Sequence, residues 1–336
     1  MSSVIRHITP VSPQRAKGVV AEVYAQVNAE FSSIGPAVMM MSPAGELMAA
    51  GWSLMRESQL AGDVPPVEKA VVALGAARAN GLEYDVQAFL SVLRLLGEPE
   101  LAAAVEGWDR PADDRLAALL SWAASTGVAD QDPSPWPFSS EPAAEHLGTV
   151  LFTHFIDRVA AAMLPAGLTP GTLNPNDEPP FEGAPVLRDL HQELRPGATL
   201  PLLAGLPADE EPKWAAGLPI GTAYAALAAT AAQGSGLLSP EAAGVVASVI
   251  AGHRGRRSPI GSWLDEALSK GECLSEQERA GARVAILAGL APEAITDEDV
   301  AAWRATDRRL SDHCTVYLLA YGAMTAVTHV EADISA

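Results

Sequence analysis

The sequence contains few of the residues that define several large classes of protein. Its 336 residues include only two cysteines, Cys273 and Cys314, and aromatic residues make up 5% of the chain. Two cysteines in so long a chain cannot form a disulfide framework, and neither has the spacing of a metal-binding motif. Because cytosolic proteins keep their thiols reduced, we expect a cytoplasmic location.

Positive charge is also scarce. The chain has 22 lysines and arginines against 41 acidic residues, which gives a net charge of −19. A basic surface cannot be assembled against such a field, so a nucleic-acid partner is not expected. The N-terminal segment lacks an apolar h-region, and no apolar run is long enough to span a bilayer. We therefore expect no secretory signal and no membrane partner.

The residues that are abundant favour helices. Hydrophobic residues make up 49% of the chain, and most of them are Ala, Leu and Val. Alanine and leucine are strong helix formers, so the composition predicts an all-α fold. Apolar residues at the 3–4 spacing of an amphipathic helix predict helices over 12–31, 67–79, 83–96, 112–124, 143–164 and 312–330.

One segment interrupts this pattern. Residues 165–212 are dense in Pro, Gly and acidic side chains, a composition typical of an irregular, solvated connection. A short amphipathic stretch at 186–194 predicts one helix within it. The predicted organisation is an N-terminal helical domain over 1–165, a linker over 166–212 and a second helical unit over 213–336.

The most informative stretch is the predicted helix pair over 67–97. The dipeptide Asn80-Gly81 tolerates left-handed backbone and predicts a tight turn, and Gly97 predicts the end of the second helix. Positions 82, 85 and 89 then share one face of the second helix and its entry turn.

This stretch resembles the helical core of the alkylhydroperoxidase D and carboxymuconolactone decarboxylase superfamily. Members of that superfamily carry the run Asn-x-Cys-x-Tyr-Cys-x-x-x-His, followed by an apolar helix that ends in glycine. The matching residues here are Asn80, Glu83, Tyr84 and Gly97. The resemblance implies a fold of alkylhydroperoxidase D-like helical repeats.

The reactive residues of the superfamily are replaced. Leu82 and Asp85 stand at the two cysteine positions, Phe89 stands at the histidine position, and the upstream glutamate is displaced to Glu68. A peroxidase of this family needs one thiol to attack the peroxide and another to resolve the sulfenic acid. Thiol peroxidase activity is therefore not expected, whereas decarboxylation and isomerisation are compatible with the resemblance.

The second half of the chain repeats the first in outline. An offset of 174 residues places Val245 on Val71, Trp263 on Phe89 and Gly271 on Gly97 without a gap. Such a match across a turn predicts an internal duplication and hence two tandem repeats. Because paired helical domains of this superfamily form symmetric oligomers, we also expect a pseudo-dimer within the chain and a homodimer of chains.

Eight residues are candidates for a site. Asp85 at the start of its helix is the candidate base, with Tyr84, His154 and Glu68 as proton partners. The substrate-binding candidates are Arg158 as the anchor for an anion, with Leu82, Phe89 and Trp52 as lining residues. The alternative interpretation is structural. Acids in a first turn complement the helix dipole, and a His–Arg pair ties helices together.

Two functions remain open at this point. The first is a cofactor-independent, non-redox enzyme that decarboxylates, isomerises or cyclises a small ring-containing or acidic molecule, in a setting such as specialised metabolite biosynthesis. It needs no metal. The second is a catalytically inactive pseudoenzyme that binds a ligand or serves as a scaffold. A pocket that Asp85 and His154 both face would favour the enzyme, and a closed apolar interior would favour the pseudoenzyme.

Overall fold

The structure is a computed structural model that describes residues 4–31, 33–128, 132–141, 143–172, 194–270 and 274–335. Within these ranges the chain forms fourteen α-helices and no β-strand, which confirms the predicted all-α fold. In chain order they are α1 (Gly18–Glu30), α2 (Pro36–Met39), α3 (Gly45–Met55), α4 (Pro66–Asn80), α5 (Glu83–Leu95), α6 (Pro99–Glu106), α7 (Asp114–Ser125), α8 (Ala143–Met163), α9 (Pro219–Ala232), α10 (Pro240–Gly252), α11 (Ser262–Lys270), α12 (Glu276–Leu290), α13 (Asp297–Arg304) and α14 (Asp312–Ile334).

The turn between α4 and α5 forms where its sequence predicted it. Asn80 is the last residue of α4, Gly81 has the left-handed φ of 65°, and α5 begins at Glu83. Gly97 has a φ of 84° just beyond the end of α5. Both glycines occupy backbone conformations that a side chain disfavours, so this turn chemistry fixes the direction of α5.

Two long helices form the centre of the molecule. Every residue of α8 except Glu145 and Ala161 is buried, and α14 packs alongside α8. The helix α3 packs against α9 in the same way, so the two halves of the chain contribute to one continuous hydrophobic core. Of the predicted linker, residues 173–193 lie outside the described residues, including all but the last residue of the helix predicted at 186–194.

The two halves share an order of elements but differ in their packing. In the first half α4 is the central helix and contacts α5, α7 and α8. In the second half α12 takes that place and contacts α10, α13 and α14. The tandem duplication, the domain boundaries and the homodimer therefore remain predictions.

Small residues let the helices approach closely in this aromatic-poor core. A β-carbon on Gly75 in α4 would lie 2.7 Å from the carbonyl oxygen of Leu120 in α7. A β-carbon on Gly322 in α14 would overlap the backbone of Ala285 in α12. Both positions thus need glycine to allow backbone contact between helices. Among the described helices, none combines the length and the apolar character that crossing a membrane requires.

Candidate functional site

A pocket of about 150 Å³ lies beside the start of α5 and is bounded by α1, α2, α3, α5 and α8. Its wall is almost entirely apolar and includes five aromatic and three methionine side chains. The aromatic residues are Phe31, Trp52, Tyr84, Phe89 and Phe152, and the methionines are Met41, Met48 and Met55. A cavity of this size accommodates a single six-membered ring.

Four of the eight candidate residues line this pocket. They are Trp52 from α3 and Tyr84, Asp85 and Phe89 from α5. Trp52 is fixed by a 2.8 Å hydrogen bond from Nε1 to Gln26 and by edge contact with Phe31, whose ring centroid is 6.1 Å away. The lining predicted for Trp52 and Phe89 is therefore present.

A break in helix geometry brings a further polar group to the pocket. The helix α3 continues into a π-helical turn at Arg56–Leu60. In this turn Gln59 lines the pocket and donates a 3.1 Å hydrogen bond from Nε2 to the hydroxyl of Thr153 in α8. The π-turns found inside α-helices frequently occur at functional sites. No pattern in the sequence indicated Gln59.

A second acidic side chain lies next to Asp85, behind the pocket wall. The carboxyl group of Asp157, a fully buried residue of α8, lies within hydrogen-bonding reach of that of Asp85. Asp157 Oδ2 also accepts a 2.7 Å hydrogen bond from Nδ2 of Asn80. Asp157 Oδ1 is buried and accepts no hydrogen bond within the described part of the chain. Two carboxyl groups can bond to each other only if one of them carries a proton.

The surroundings of the pair favour that proton. Burial raises the pKa of Asp85, an effect only partly offset by the hydrogen bond with Asp157. Burial, the Asp85 charge and the hydrogen bond from Asp157 to Asp85 raise the pKa of Asp157 well above its usual range. The proton therefore belongs to the pair, and the larger rise in the pKa of Asp157 favours Asp157 as its carrier. The pair carries one negative charge, and Asp85 is the member that lines the pocket.

Behind Asp157 lies a buried polar network. Nδ1 of His154 lies 2.8 Å from Oδ1 of Asn80, and Nε2 of His154 lies 2.8 Å from the hydroxyl of Thr126. Burial, with three nearby arginines, lowers the pKa of His154 well below its usual value, so the ring is neutral. The network orients Asn80, which in turn orients Asp157.

The structure corrects the expected positions of His154 and Arg158. The two residues do share one face of α8, but that face points into the core, and neither lines the pocket. Arg158 donates from Nε to the carbonyl of Gly289, from Nη2 to that of Gly255 and from Nη1 to that of His154. Because backbone carbonyls accept hydrogen bonds from all three guanidinium nitrogens, Arg158 has no free pair of N–H donors with which to bind a substrate anion.

Glu68 and Leu82 also lie away from the pocket. Glu68 accepts hydrogen bonds of 2.7 and 2.9 Å from Arg115 of α7, in a bidentate ion pair on the far side of α4. Leu82 precedes α5 and packs against the core without lining the pocket. The sequence placed Leu82 on the Asp85 face, but the turn directs it into the core.

The tyrosine next to Asp85 stays protonated. Burial, followed by the charge of Asp85, raises the pKa of Tyr84. The pocket therefore combines a carboxylate that can accept a proton with a neutral phenol that can donate a hydrogen bond. No cluster of three potential metal ligands occurs among the residues that the structure describes.

Comparison with known proteins gives one full-length relative. The chain is 35% identical over 339 aligned positions to a Mycobacterium tuberculosis protein named alkyl hydroperoxide reductase Rv2159c. The alignment covers 99% of this chain and 95% of the relative. No known family profile matches the chain. No solved structure matches it either.

Proposed function

This chain belongs to the alkylhydroperoxidase D-like family, and we propose that it acts in that family as a cofactor-independent acid–base enzyme. Its substrate is a small molecule with a single ring, bound in the pocket beside α5. The observation that carries this proposal is the proton-sharing pair of Asp85 and Asp157 at the wall of an apolar pocket of about 150 Å³.

The pair gives the pocket a base of useful strength. A carboxylate in water is a weak base, and burial raises the pKa of Asp85 towards the range in which it accepts protons effectively. Asp157 donates a hydrogen bond to Asp85 and positions it without touching the pocket itself. Asp85 is therefore the proposed catalytic base, and Asp157, Asn80 and His154 are positioning residues.

Two further groups complete the proposed chemistry. Tyr84 donates a proton or a hydrogen bond to an oxygen that gains charge during the reaction, and Gln59 orients the substrate by hydrogen bonding. Proton removal by Asp85 and proton delivery by Tyr84 together support isomerisation or cyclisation. Decarboxylation is less well supported, because it needs an acidic substrate. Arg158, the cation expected to bind such a substrate, donates its hydrogen bonds to backbone carbonyls in the core.

We do not extend the peroxide chemistry in the relative's name to this chain. A thiol is required at the site for that reaction, and no cysteine is among the described residues that line the pocket. Cys314 lies in a separate shallow cleft with Glu46 and His313. Cys273 lies outside the described residues.

A second candidate function rests on the same pocket. The wall is dominated by aromatic and methionine side chains, which also suit a protein that binds an apolar ligand without converting it. His154, which would have favoured the enzyme by facing the pocket, does not reach it. A turnover assay separates the two functions.

That assay follows a panel of small single-ring carbonyl compounds, with and without an amino group, in deuterated water by proton NMR. We expect the protein to catalyse deuterium incorporation or ring closure for at least one compound, and Asp85→Asn to remove the reaction. If compounds bind in the pocket and none reacts, the ligand-binding function is the correct one.

Filling the pocket tests its role independently of Asp85. Ala88 lines the pocket from α5, while its neighbour Gln87 lies on the other side of the helix and borders a separate surface groove. We expect Ala88→Leu to weaken binding of a single-ring ligand at least tenfold, about 1.4 kcal/mol, by occupying its space. Gln87→Leu is the matched control and should leave binding unchanged. Equal effects of the two variants in calorimetry would place the ligand elsewhere.

A further inference from the structure

We infer that the ligand of this pocket carries a protonated amine next to its ring. The inference rests on the proposed function and specifies its substrate class. It starts from the charge of the pocket wall. Among the residues that the structure describes, Asp85 is the one charged residue that lines the pocket, and no described lysine, arginine or histidine lines it.

No cation in the described part of the chain neutralises the charge of Asp85. The influences on its pKa are burial and the hydrogen bond with Asp157, with no basic group among them. The closest arginine of the network, Arg158, is bound to three backbone carbonyls on the inner side of α8. A negative charge in an apolar wall, with a neutral carboxylic acid as its hydrogen-bond partner, is costly, so a ligand that supplies a cation at this point is favoured.

The remaining wall suits the same ligand. Five aromatic side chains surround the space, and the negative faces of aromatic rings attract ammonium groups. The methionines provide polarisable surface for an apolar ring. A carboxylate ligand, by contrast, would meet the charge of Asp85 at close range. Of the expected ring-containing or acidic substrates, this inference selects one with a ring and a basic group.

An ammonium group also fits the proposed chemistry. Transfer of one proton from the ammonium nitrogen to the outer oxygen of Asp85 gives a neutral amine and a neutral acid. The apolar wall lowers the cost of this transfer, because both products are neutral. Loss of the proton frees the lone pair of the nitrogen, and the neutral amine is the nucleophile that a cyclisation requires.

Three probes of one shape test the inference: benzylamine, benzyl alcohol and benzoate, each titrated calorimetrically against the whole protein at physiological salt. We expect benzylamine to bind at least tenfold more tightly than benzyl alcohol, and benzoate to give no measurable binding. In Asp85→Asn, benzylamine should fall to the affinity of the alcohol, which itself should not change. Lowering the pH should weaken benzylamine alone, because protonation of the second carboxyl removes the charge.

Controls separate this site from the acidic surface. Glu83→Gln removes an exposed carboxylate from the same helix turn, and benzylamine affinity should not change, whereas a parallel loss would indicate surface attraction. Equal binding of benzylamine and benzyl alcohol would overturn the amine inference and leave the acid–base function standing. Tightest binding of benzoate would overturn the inference as well. Failure of all three probes to bind would overturn both, because the pocket would then not be a ligand site.

Discussion

Replacing Asp85 by asparagine is expected to abolish turnover and at the same time to stabilise the fold. The turnover loss follows because the amide cannot accept a proton from the substrate. The gain in stability follows because the folded protein no longer encloses a poorly compensated carboxylate. A site residue that costs stability is typical of positions kept for function. Thermal melting of both proteins measures the gain, about 1–2 °C for each kcal/mol in a chain of 336 residues.

The stability gain should depend on pH in one direction. Burial raises the pKa of Asp85 in the folded protein above its value in the unfolded chain. The favourable contribution of the protonated carboxyl is then complete below the unfolded pKa and is lost as the pH rises through the folded pKa. The variant should therefore exceed the wild type most clearly at neutral pH and approach it in acid. Glu83→Gln, an exposed change two residues away, should show neither effect.

A fall in stability would give the opposite conclusion. If Asp85→Asn melts at a lower temperature than the wild type throughout the pH range, the carboxylate is a favourable part of the fold. Asp85 would then be a first-turn acid with a structural role, as the alternative interpretation of the sequence proposed.

Replacing Arg158 by methionine is expected to cost about 3–5 kcal/mol of unfolding free energy, the range found when one partner of a buried charged network is removed. The side chain is fully buried, and burial, followed by the charge of Arg257, lowers its pKa to about 9. Methionine can fill the space but leaves the carbonyls of Gly289 and Gly255 without these donors. Both carbonyls belong to the second half of the chain, so the loss weakens the contact between halves. Urea denaturation measures the change.

The control is an arginine on the surface. Arg309 is 90% exposed and pairs with Asp307 nearby in sequence, so Arg309→Met should change the stability by less than about 1 kcal/mol. If Arg158→Met instead leaves stability unchanged and weakens ligand binding, Arg158 anchors the ligand after all. The inward orientation described above would then be incorrect for the protein in solution.

Local features of the fold were predictable because local chemistry determines them. The break at Asn80-Gly81 and the end of α5 near Gly97 follow from the left-handed backbone that glycine permits. The start of α5 at Glu83 follows from the same turn, and it places Tyr84 and Asp85 where the sequence put them. The period of apolar residues predicted most of the long helices to within a few residues.

The composition of the site was less predictable because it depends on distant contacts. Spacing shows that His154 and Arg158 share a face of α8, but it does not show whether a pocket or the core covers that face. The partner of Asp85 comes from α8, more than 70 residues along the chain. Gln59 lines the pocket because it lies in a π-helical turn, and the spacing of apolar residues in the sequence does not predict such a turn. Contacts between helices, rather than local sequence, assemble this pocket.

The most direct test of the account is the protonation state of the Asp85–Asp157 pair, measured by infrared spectroscopy or by carbon NMR of protein with labelled aspartate carboxyls. We predict that one buried carboxyl group is protonated at neutral pH and that its signal disappears in Asp157→Asn. A second carboxyl group should gain its proton only in acid, and its signal should be absent from Asp85→Asn. Two carboxylates that both ionise in the ordinary acidic range would contradict the account, because the pocket would then lack its shared proton and its tuned base.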